Sequence, residues 1–490
     1  MSQIKITDLT FSYESAYENI FEHSSFQIDT NWKLGFIGRN GRGKTTFLNL
    51  LLGKYEYKGT ISSSVDFDYF PYVIKNIKQN TLVCMKEIAG GLEEWEEYRI
   101  LIELERLKVK EEVLYRPFDT LSKGEQTKIM LGALFLKNNH FLLIDEPTNH
   151  LDMEGRDLLA NYLNSKNSFI LVSHDRTFLD KCIDHVLSIN KKDISVEKGN
   201  FTSWQMNKDR QDQFELNRNE KLKKDISHLM TAAERTSNWS NKVEDTKIGS
   251  HSADRGRVGH LAAKMMKRSK AIEKRQSNAI EEKKQLLKNL EETCNLKMNI
   301  LTGHQERYLE LEDLGISYGD KEVFKHLNMT VFRGDRVIIN GGNGRGKTSL
   351  IKVILGEQAG YTGKIHLASG LKISYINQDT SHLAGSLRDY IRRNNLDETL
   401  FMTVLRQLDF PRTQLEKSID YYSAGQRKKL LLAKSLIEPA HLFLWDEPLN
   451  YIDVLSRIQI EDLILAYKPT MLFVEHDRTF AKKIATKELN

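Results

Sequence analysis

Gly38-Arg39-Asn40-Gly41-Arg42-Gly43-Lys44-Thr45 recurs 303 residues later as Gly341-Gly342-Asn343-Gly344-Arg345-Gly346-Lys347-Thr348. Both stretches fit G-x-x-x-x-G-K-[ST], whose glycines let successive backbone N–H groups turn inward around nucleotide phosphates. In such a loop Lys44 or Lys347 pairs with the terminal phosphates, and the hydroxyl of Thr45 or Thr348 is a ligand for Mg²⁺. Thr46 and Ser349, next in line, are counted with the nucleotide-binding residues. Each loop follows a short apolar stretch (Leu34 to Ile37, Val337 to Ile339) and precedes a helix-like run (Phe47 to Leu52, Leu350 to Leu355). That strand–loop–helix setting is what the pattern requires.

The spacing beyond each loop repeats as well. Lys44 to Gly124 is 80 residues and Lys347 to Gly425 is 78; Gly124 to Asp145 and Gly425 to Asp446 are both 21. Asp145 to His174 is 29 and Asp446 to His476 is 30. The chain is an internal duplication, and this fixes its organisation before any detail. Two copies and a middle segment make three domains, placed at 1–203, 204–298 and 299–490, as expected for 490 residues.

In each copy an apolar strand ends in two acids, Phe141-Leu142-Leu143-Ile144-Asp145-Glu146 and Leu442-Phe443-Leu444-Trp445-Asp446-Glu447. A continuous apolar run of this length reads as a central parallel strand. Asp145 or Asp446, at its carboxyl end, can hold Mg²⁺, and Glu146 or Glu447 is placed to orient the attacking water. A later strand ends in Ser173-His174-Asp175 or Glu475-His476-Asp477, which makes His174 and His476 candidate contacts for the γ-phosphate. Between loop and acids, Leu121-Ser122-Lys123-Gly124-Glu125-Gln126 and Tyr422-Ser423-Ala424-Gly425-Gln426 each open a helix-like segment. Ser and Gly there suit an anionic ligand, and equally an ordinary N-cap.

The net charge of +5 is too small by itself to argue for nucleic acid. Cys84, Cys182 and Cys294 lack metal-ligand spacing and suit a reducing cytoplasm. No apolar run approaches the ~18 residues of a membrane span, and the first residues lead into a strand rather than a signal peptide. A cytoplasmic ATPase with no membrane partner is the expectation, with ATP and Mg²⁺ as its cofactors.

The Ser-x-Gly-x-Gln stretches resemble the signature of the ATP-binding cassette (ABC) superfamily, and Asn149-His150-Leu151-Asp152 and Asn450-Tyr451-Ile452-Asp453 resemble its D-loop. The resemblance implies an α/β fold of two tandem P-loop ABC-type ATPase domains that clamp head to tail, within one monomer, around two ATP molecules. Ser122 and Gly124 would complete the site of Lys347, Asp446, Glu447 and His476. Ser423 and Gly425 would complete that of Lys44, Asp145, Glu146 and His174. Tyr13 and Tyr318 stand where the family stacks an aromatic on adenine. Gln378 suits the family's metal-contacting glutamine, but the equivalent run Asp68-Tyr69-Phe70-Pro71 continues with Tyr72. Lys123 and Ala424 each replace a signature glycine. Two hydrolysis-capable sites of unequal rate are expected.

The middle segment has long charged stretches and no proline. Leu222, Ile226, Leu229 and Ala233 make one helical stripe, and Met265, Ile272, Ala279 and Leu286 recur by sevens. Gly249, Gly256 and Gly259 break helical propensity between them. The reading is an α-helical hairpin with a glycine-bearing tip and an arm of roughly 60 Å. Lys247 and a run without acids, Arg255, Arg257, Lys264, Lys267, Arg268 and Lys270, give the tip the footprint of a phosphate-backbone binder. Val258 and His260 lie within it.

Two cassettes and a charged helical linker resemble the ABC-F class. Lys267-Arg268-Ser269-Lys270, Asp119-Thr120-Leu121-Ser122 and Trp445-Asp446-Glu447-Pro448-Leu449-Asn450 look like its Lsa branch. That resemblance implies antibiotic resistance by ribosome protection. Such proteins bind the bacterial 70S ribosome at the tRNA exit site, with ribosomal RNA and a P-site tRNA as partners. They promote release of lincosamide, pleuromutilin and streptogramin A compounds. A housekeeping translation factor of the same class, whose large arm would not fit between Lys44 and Ser122, is one alternative. The ATP-binding subunit of a drug exporter, which leaves the hairpin unexplained, is another.

Overall fold

The structure, a computed structural model, describes residues 2–13, 19–91, 96–149, 151–190, 193–245, 264, 267, 271–272, 274–275, 278, 296–318, 321–342, 346–357 and 360–489. Side chains are described over the same residues except 190, 193, 232–245, 318, 321–323 and 413.

The first copy builds a three-stranded antiparallel sheet from β1 (Gln3–Phe11), β2 (Phe21–Asp29) and β4 (Lys58–Ser62) in the order β2-β1-β4. Its central sheet takes β3 (Lys33–Ile37), β5 (Asp66–Phe70), β6 (His140–Asp145), β7 (Phe169–Val172), β8 (His185–Asn190) and β9 (Asp193–Lys198) in the order β5-β6-β7-β3-β8-β9. All its neighbours are parallel except β8 and β9. The second copy repeats the plan. β10 (Arg307–Tyr318), β11 (Lys321–Phe332) and β13 (Tyr361–Leu367) form the antiparallel sheet. β12 (Arg336–Ile339), β14 (Ile373–Ile376), β15 (Leu442–Asp446), β16 (Thr470–Val474) and β17 (Lys487–Leu489) form a parallel one in the order β14-β15-β16-β12-β17.

The apolar acid-bearing strands are buried on both faces, which is why they show no polar alternation. Phe141 and Leu143 of β6 enter the core shared with the antiparallel sheet, while Leu142 and Ile144 enter the core beneath the helices. In β15, Leu442 and Leu444 are divided from Phe443 and Trp445 in the same way. Because β6, β7 and β3 are adjacent, and β15, β16 and β12 likewise, the phosphate loop, the paired acids and the histidine emerge side by side at the carboxyl ends of the strands.

The chain divides into two compact units, one of Met1–Trp204 with Cys294–Asn490 and one of Gln205–Thr293. Both cassettes thus belong to a single unit. In the second unit the helix Phe201–Asp245 continues, with Ile226 buried and Leu222 and Leu229 half-buried on one face. Ala233 of that stripe has no described side chain. Lys264, Lys267, Ile272 and Lys274 are helical and exposed, Ile272 at 40 %, so this described member of the sevenfold seam is not covered as the spacing led us to expect. Lys247, Arg255, Arg257, Val258, His260, Arg268 and Lys270 lie outside the described residues, as do Met265, Ala279 and Leu286. No described helix is long and apolar enough to cross a membrane.

Candidate nucleotide sites

The first phosphate loop turns on Gly41 and Gly43, whose φ values of 82° and 95° favour glycine. A Cβ on Gly43 would also stand 2.5 Å from Ile20 Cγ2, so the position is closed on two counts. Lys44, at the start of the helix Lys44–Leu51, is buried and folds its Nζ back to donate to the carbonyls of Gly38 (2.6 Å) and Arg39 (3.2 Å). Thr45 Oγ1 donates to Asp145 Oδ2 at 3.2 Å, and the Tyr69 hydroxyl reaches the same oxygen at 3.0 Å. Thr46 Oγ1 lies 2.9 Å from the Tyr13 hydroxyl. Tyr13 is 37 % exposed and packs edge-on against Phe11 and Tyr55, a partly open aromatic face beside the loop.

The second loop repeats much of this. Lys347 Nζ donates to the carbonyls of Gly341 (2.6 Å) and Gly342 (3.3 Å), and Gly346 has φ 83°. Thr348 and Ser349 come next, half-buried, on the helix Lys347–Ile354. Asn343 and Gly344 lie outside the described residues, and nothing is described of the Tyr318 side chain. Asp446 is buried with neither carboxylate oxygen hydrogen-bonded, and Thr348 is beside it. Burial and the neighbouring Glu447 push the Asp446 pKa upward. A buried carboxylate with open oxygens next to a hydroxyl fits a hard divalent cation, and Thr45 with Asp145 offers the same donors.

The two glutamates differ. Both occupy left-handed backbone, φ 51° at Glu146 and 47° at Glu447, a conformation costly for a non-glycine residue and repeated in both copies. Glu447 accepts from Gln378 Nε2 (2.8 Å) and Asn450 Nδ2 (2.5 Å), and His476 Nε2 lies 3.2 Å from its other oxygen. Burial opposes its ionisation, but these bonds and the charge of Lys347 outweigh burial and hold its pKa below the ordinary value. Glu146 has His174 Nε2 at 3.2 Å without a hydrogen bond to Oε1. Burial, then the adjacent Asp145, push the Glu146 pKa up to about 8. Burial, with Lys44 and Arg457 nearby, drives His174 far down, so its ring is neutral at pH 7. The strand register accounts for one lost partner. Phe70 pairs with Ile144, and Ile376 with Trp445, so two residues on Tyr72 stands where Gln378 does.

The copies meet at the first site. Asn40 donates its backbone N–H to Asp453 Oδ2 (3.3 Å) and its side-chain amide to the carbonyl of Tyr451 (2.8 Å). A Cβ on Gly425 would lie 2.5 Å from that carbonyl and 3.2 Å from Asn40 Nδ2, so the signature glycine abuts the first phosphate loop. Ser423 caps the helix Ala424–Ile437 in a reciprocal box with Gln426, as Ser122 caps Lys123–Leu134 with Glu125. The structure thus brings Gly425, two residues after Ser423, against the phosphate loop of Lys44. For the reverse pairing, Ser122 and Gly124 begin an equally capped helix. Met153, Arg156 and Thr177 of the first copy line one cleft with His476 and Arg478 of the second. Near the pseudo-twofold axis Thr177 Oγ1 lies 3.1 Å from its counterpart Thr479 Oγ1, and Arg176 is buried against Glu461. Sequence reasoning gave Lys429 and Tyr69 no site role, and gave Asn450 and Asp453 only as members of the D-loop-like stretch, without the contacts they make here. Asn450 was within reach, three residues after Glu447 in the D-loop-like stretch.

The sequence profile of the ABC transporter family matches residues 21–149 and 324–450. The chain is 27 % identical over 99 % of its length to the ribosome protection protein VmlR of Bacillus subtilis, covering 86 % of that protein. It is 28 % identical over 99 % of its length to the ATP-binding protein Uup of Buchnera aphidicola, covering 80 % of it. Among solved structures, an archaeal ribosome recycling factor, aABCE1, in complex with a ribosomal stalk protein shares the fold, with a TM-score of 0.62 and 18 % identity. The match covers 98 % of this chain and 86 % of that one. With two matched cassettes spanning half its length, the chain belongs to the ABC transporter family, as an ATPase of its ABC-F group.

Proposed function

We propose that the protein is an ATP-dependent ribosome-protection factor of the bacterial cytoplasm, of the Lsa branch. It binds the 70S ribosome at the tRNA exit site, beside a P-site tRNA, and promotes release of lincosamides, pleuromutilins and streptogramin A compounds. The observation that carries this reading is the alignment, over 99 % of the chain, with a relative named a ribosome protection protein. ATP occupies both sites, held by the two phosphate loops and by the signature residues of the opposite copy. Mg²⁺ there supplies charge neutralisation on the phosphates, with Thr45 and Asp145, or Thr348, Asp446 and Gln378, as its holders. Tyr13 and Tyr318 take the adenines. Glu146 and Glu447 orient water, and His174 and His476 face the γ-phosphate. Lys247, Arg255, Arg257, Lys264, Lys267, Arg268 and Lys270, with Val258 and His260, meet ribosomal RNA.

Purified 70S ribosomes loaded with labelled lincosamide, pleuromutilin or streptogramin A decide the matter. Adding the protein with ATP should empty the drug site in the absence of any membrane. Retention of all three drugs while the protein co-sediments with ribosomes would refute the protective role. That outcome would favour a housekeeping translation factor of the same class.

A further inference from the structure

Lys428 and Lys429 are neighbours on the helix Ala424–Ile437, each 2 % exposed, and they reach different nucleotide sites. Lys429 Nζ donates to the Leu408 carbonyl (2.6 Å) and lies 3.2 Å from Asp453 Oδ2, the oxygen that accepts the Asn40 N–H of the first phosphate loop. Lys428 Nζ donates instead to the carbonyl of Asn377 at 3.0 Å. The next residue, Gln378, is the amide that holds Glu447 in the second site. Adjacent helix positions point about 100° apart, so one rigid element serves both sites. The first copy has no such pair. Counting from Ser122 and Ser423 puts Thr127 opposite Lys428, and Thr127 Oγ1 is spent on the carbonyl of Lys123 (3.0 Å) within its own helix.

We propose that Lys428 is a positioning residue that carries closure of the first nucleotide site to the Gln378–Glu447 pair of the second, with no matching connection the other way. The proposal rests on Glu447 orienting the attacking water. When nucleotide draws the first phosphate loop against Gly425 and Asp453, the helix moves as a rod. Its buried ammonium, facing Glu475, Asp446, Glu447 and Asp379, drags the Asn377 carbonyl and sets the Gln378 amide. This is a coupling in rate, for which thermodynamic reciprocity is not required.

The test uses the full chain carrying Glu146→Gln, so that turnover reports the second site. Lys428→Met should lower kcat about tenfold, the scale of one lost charge-assisted hydrogen bond, with the KM for ATP within about twofold. Lys428→Arg, which keeps a charged donor, should recover most of the rate. Lys44→Ala, which empties the first site, should slow the second site when Lys428 is present and add nothing once it is Met. Lys428→Gln covers the case in which the Met variant does not fold, as thermal unfolding will show. Full turnover in the Met or Gln variant, or effects of Lys44 and Lys428 that simply multiply, would overturn the proposal. Turnover that survives in the Glu146→Gln, Glu447→Gln chain would remove the reading of the glutamates, and the proposal with it.

Discussion

Gln378 donates to Glu447 at 2.8 Å, and the register of the central sheets puts Tyr72 at the corresponding point of the other copy. A phenol cannot supply the amide's donor and acceptor together. Glu447 is bonded on both oxygens, by Gln378 and Asn450 on one and by His476 on the other, while Glu146 lacks the glutamine and its Oε1, beside His174, has no hydrogen bond in a site that also holds Asp145. One duplicated fold thus offers two electrostatic settings for the same carboxylate.

The two sites should respond differently to pH. With its pKa pushed up to about 8, Glu146 is mostly protonated at pH 7 and cannot accept a proton from water. In the Glu447→Gln chain, single-turnover hydrolysis should rise roughly tenfold from pH 7 to pH 9, following the ionised fraction. In the Glu146→Gln chain the same rate should stay flat, because the Glu447 pKa lies below its ordinary value. Tyr72→Gln should raise the first-site rate at pH 7 and flatten its profile. Superimposable profiles for the two single variants would sink the asymmetry.

Stability carries the same signature. A carboxyl whose folded pKa is raised contributes stability that is complete below its unfolded pKa, near 4.5, and lost as pH climbs through about 8. Without nucleotide, Glu146→Gln should match the native chain at pH 4 to 5 and melt about 2 °C or more higher at pH 8. Scanning calorimetry at the two pH values checks this, and a gap that narrows with rising pH would contradict the buried, strained carboxyl.

Changing both glutamates to Gln should keep ATP binding and slow hydrolysis at least 100-fold, since an amide is a poor proton acceptor. The clamp then stays closed, and the variant should remain on ribosomes in ATP. Co-sedimentation reads this directly. A double variant that hydrolyses normally, or leaves ribosomes as readily in ATP as in ADP, would cancel the assignment.

At the centre of the contact between cassettes, Arg176 donates to Glu461, which is fully buried and also meets Lys483 at 3.1 Å. Arg176 also reaches Asp477 at 3.5 Å, so removing Glu461 leaves the buried guanidinium only partly compensated, at a cost of about 3 kcal/mol. Glu461→Ala should lower stability by about that much and loosen the pairing of the copies. Arg176→Met with Glu461→Leu should regain most of it, because a well-packed apolar pair avoids desolvation. Equal losses for the single and double variants would show that the site is held by packing alone.

The phosphate loops, the paired acids and the histidines were legible because each is a local pattern: glycine where the backbone must turn, acid where an apolar strand ends. The strand that carries Glu146 could be placed from Phe141 to Ile144 alone. The partners that set its chemistry could not. Asp453 and Asn40 are 413 residues apart, and Arg176 and Glu461 are 285, distances at which no spacing rule operates. Tyr69 was passed over for the opposite reason: it sits in a strand, where a tyrosine usually means packing, yet its hydroxyl bonds Asp145.

The last prediction separates the arm of the middle segment from its tip. Lys264 and Lys267 are exposed on a helix, and with Arg268 and Lys270 they make a basic stretch without acids. Binding to phosphates releases counterions, so neutralising these four residues should weaken ribosome binding. It should also flatten the dependence of log K on log salt by about 0.7 to 0.9 for each phosphate left unpaired. The stretch from Ile248 to Leu261 is small, partly apolar and carries Arg255, Val258 and His260, a composition suited to a drug pocket rather than a phosphate track. Arg255→Ala, Val258→Ala or a shortened tip should therefore lower drug release and resistance while ATPase activity and ribosome binding persist. Susceptibility of a host expressing each variant, read beside ribosome co-sedimentation, distinguishes the two roles. If a polar tip of half the length protects the host as well as the native one, the tip is only a turn and protection must arise from the arm or the clamp.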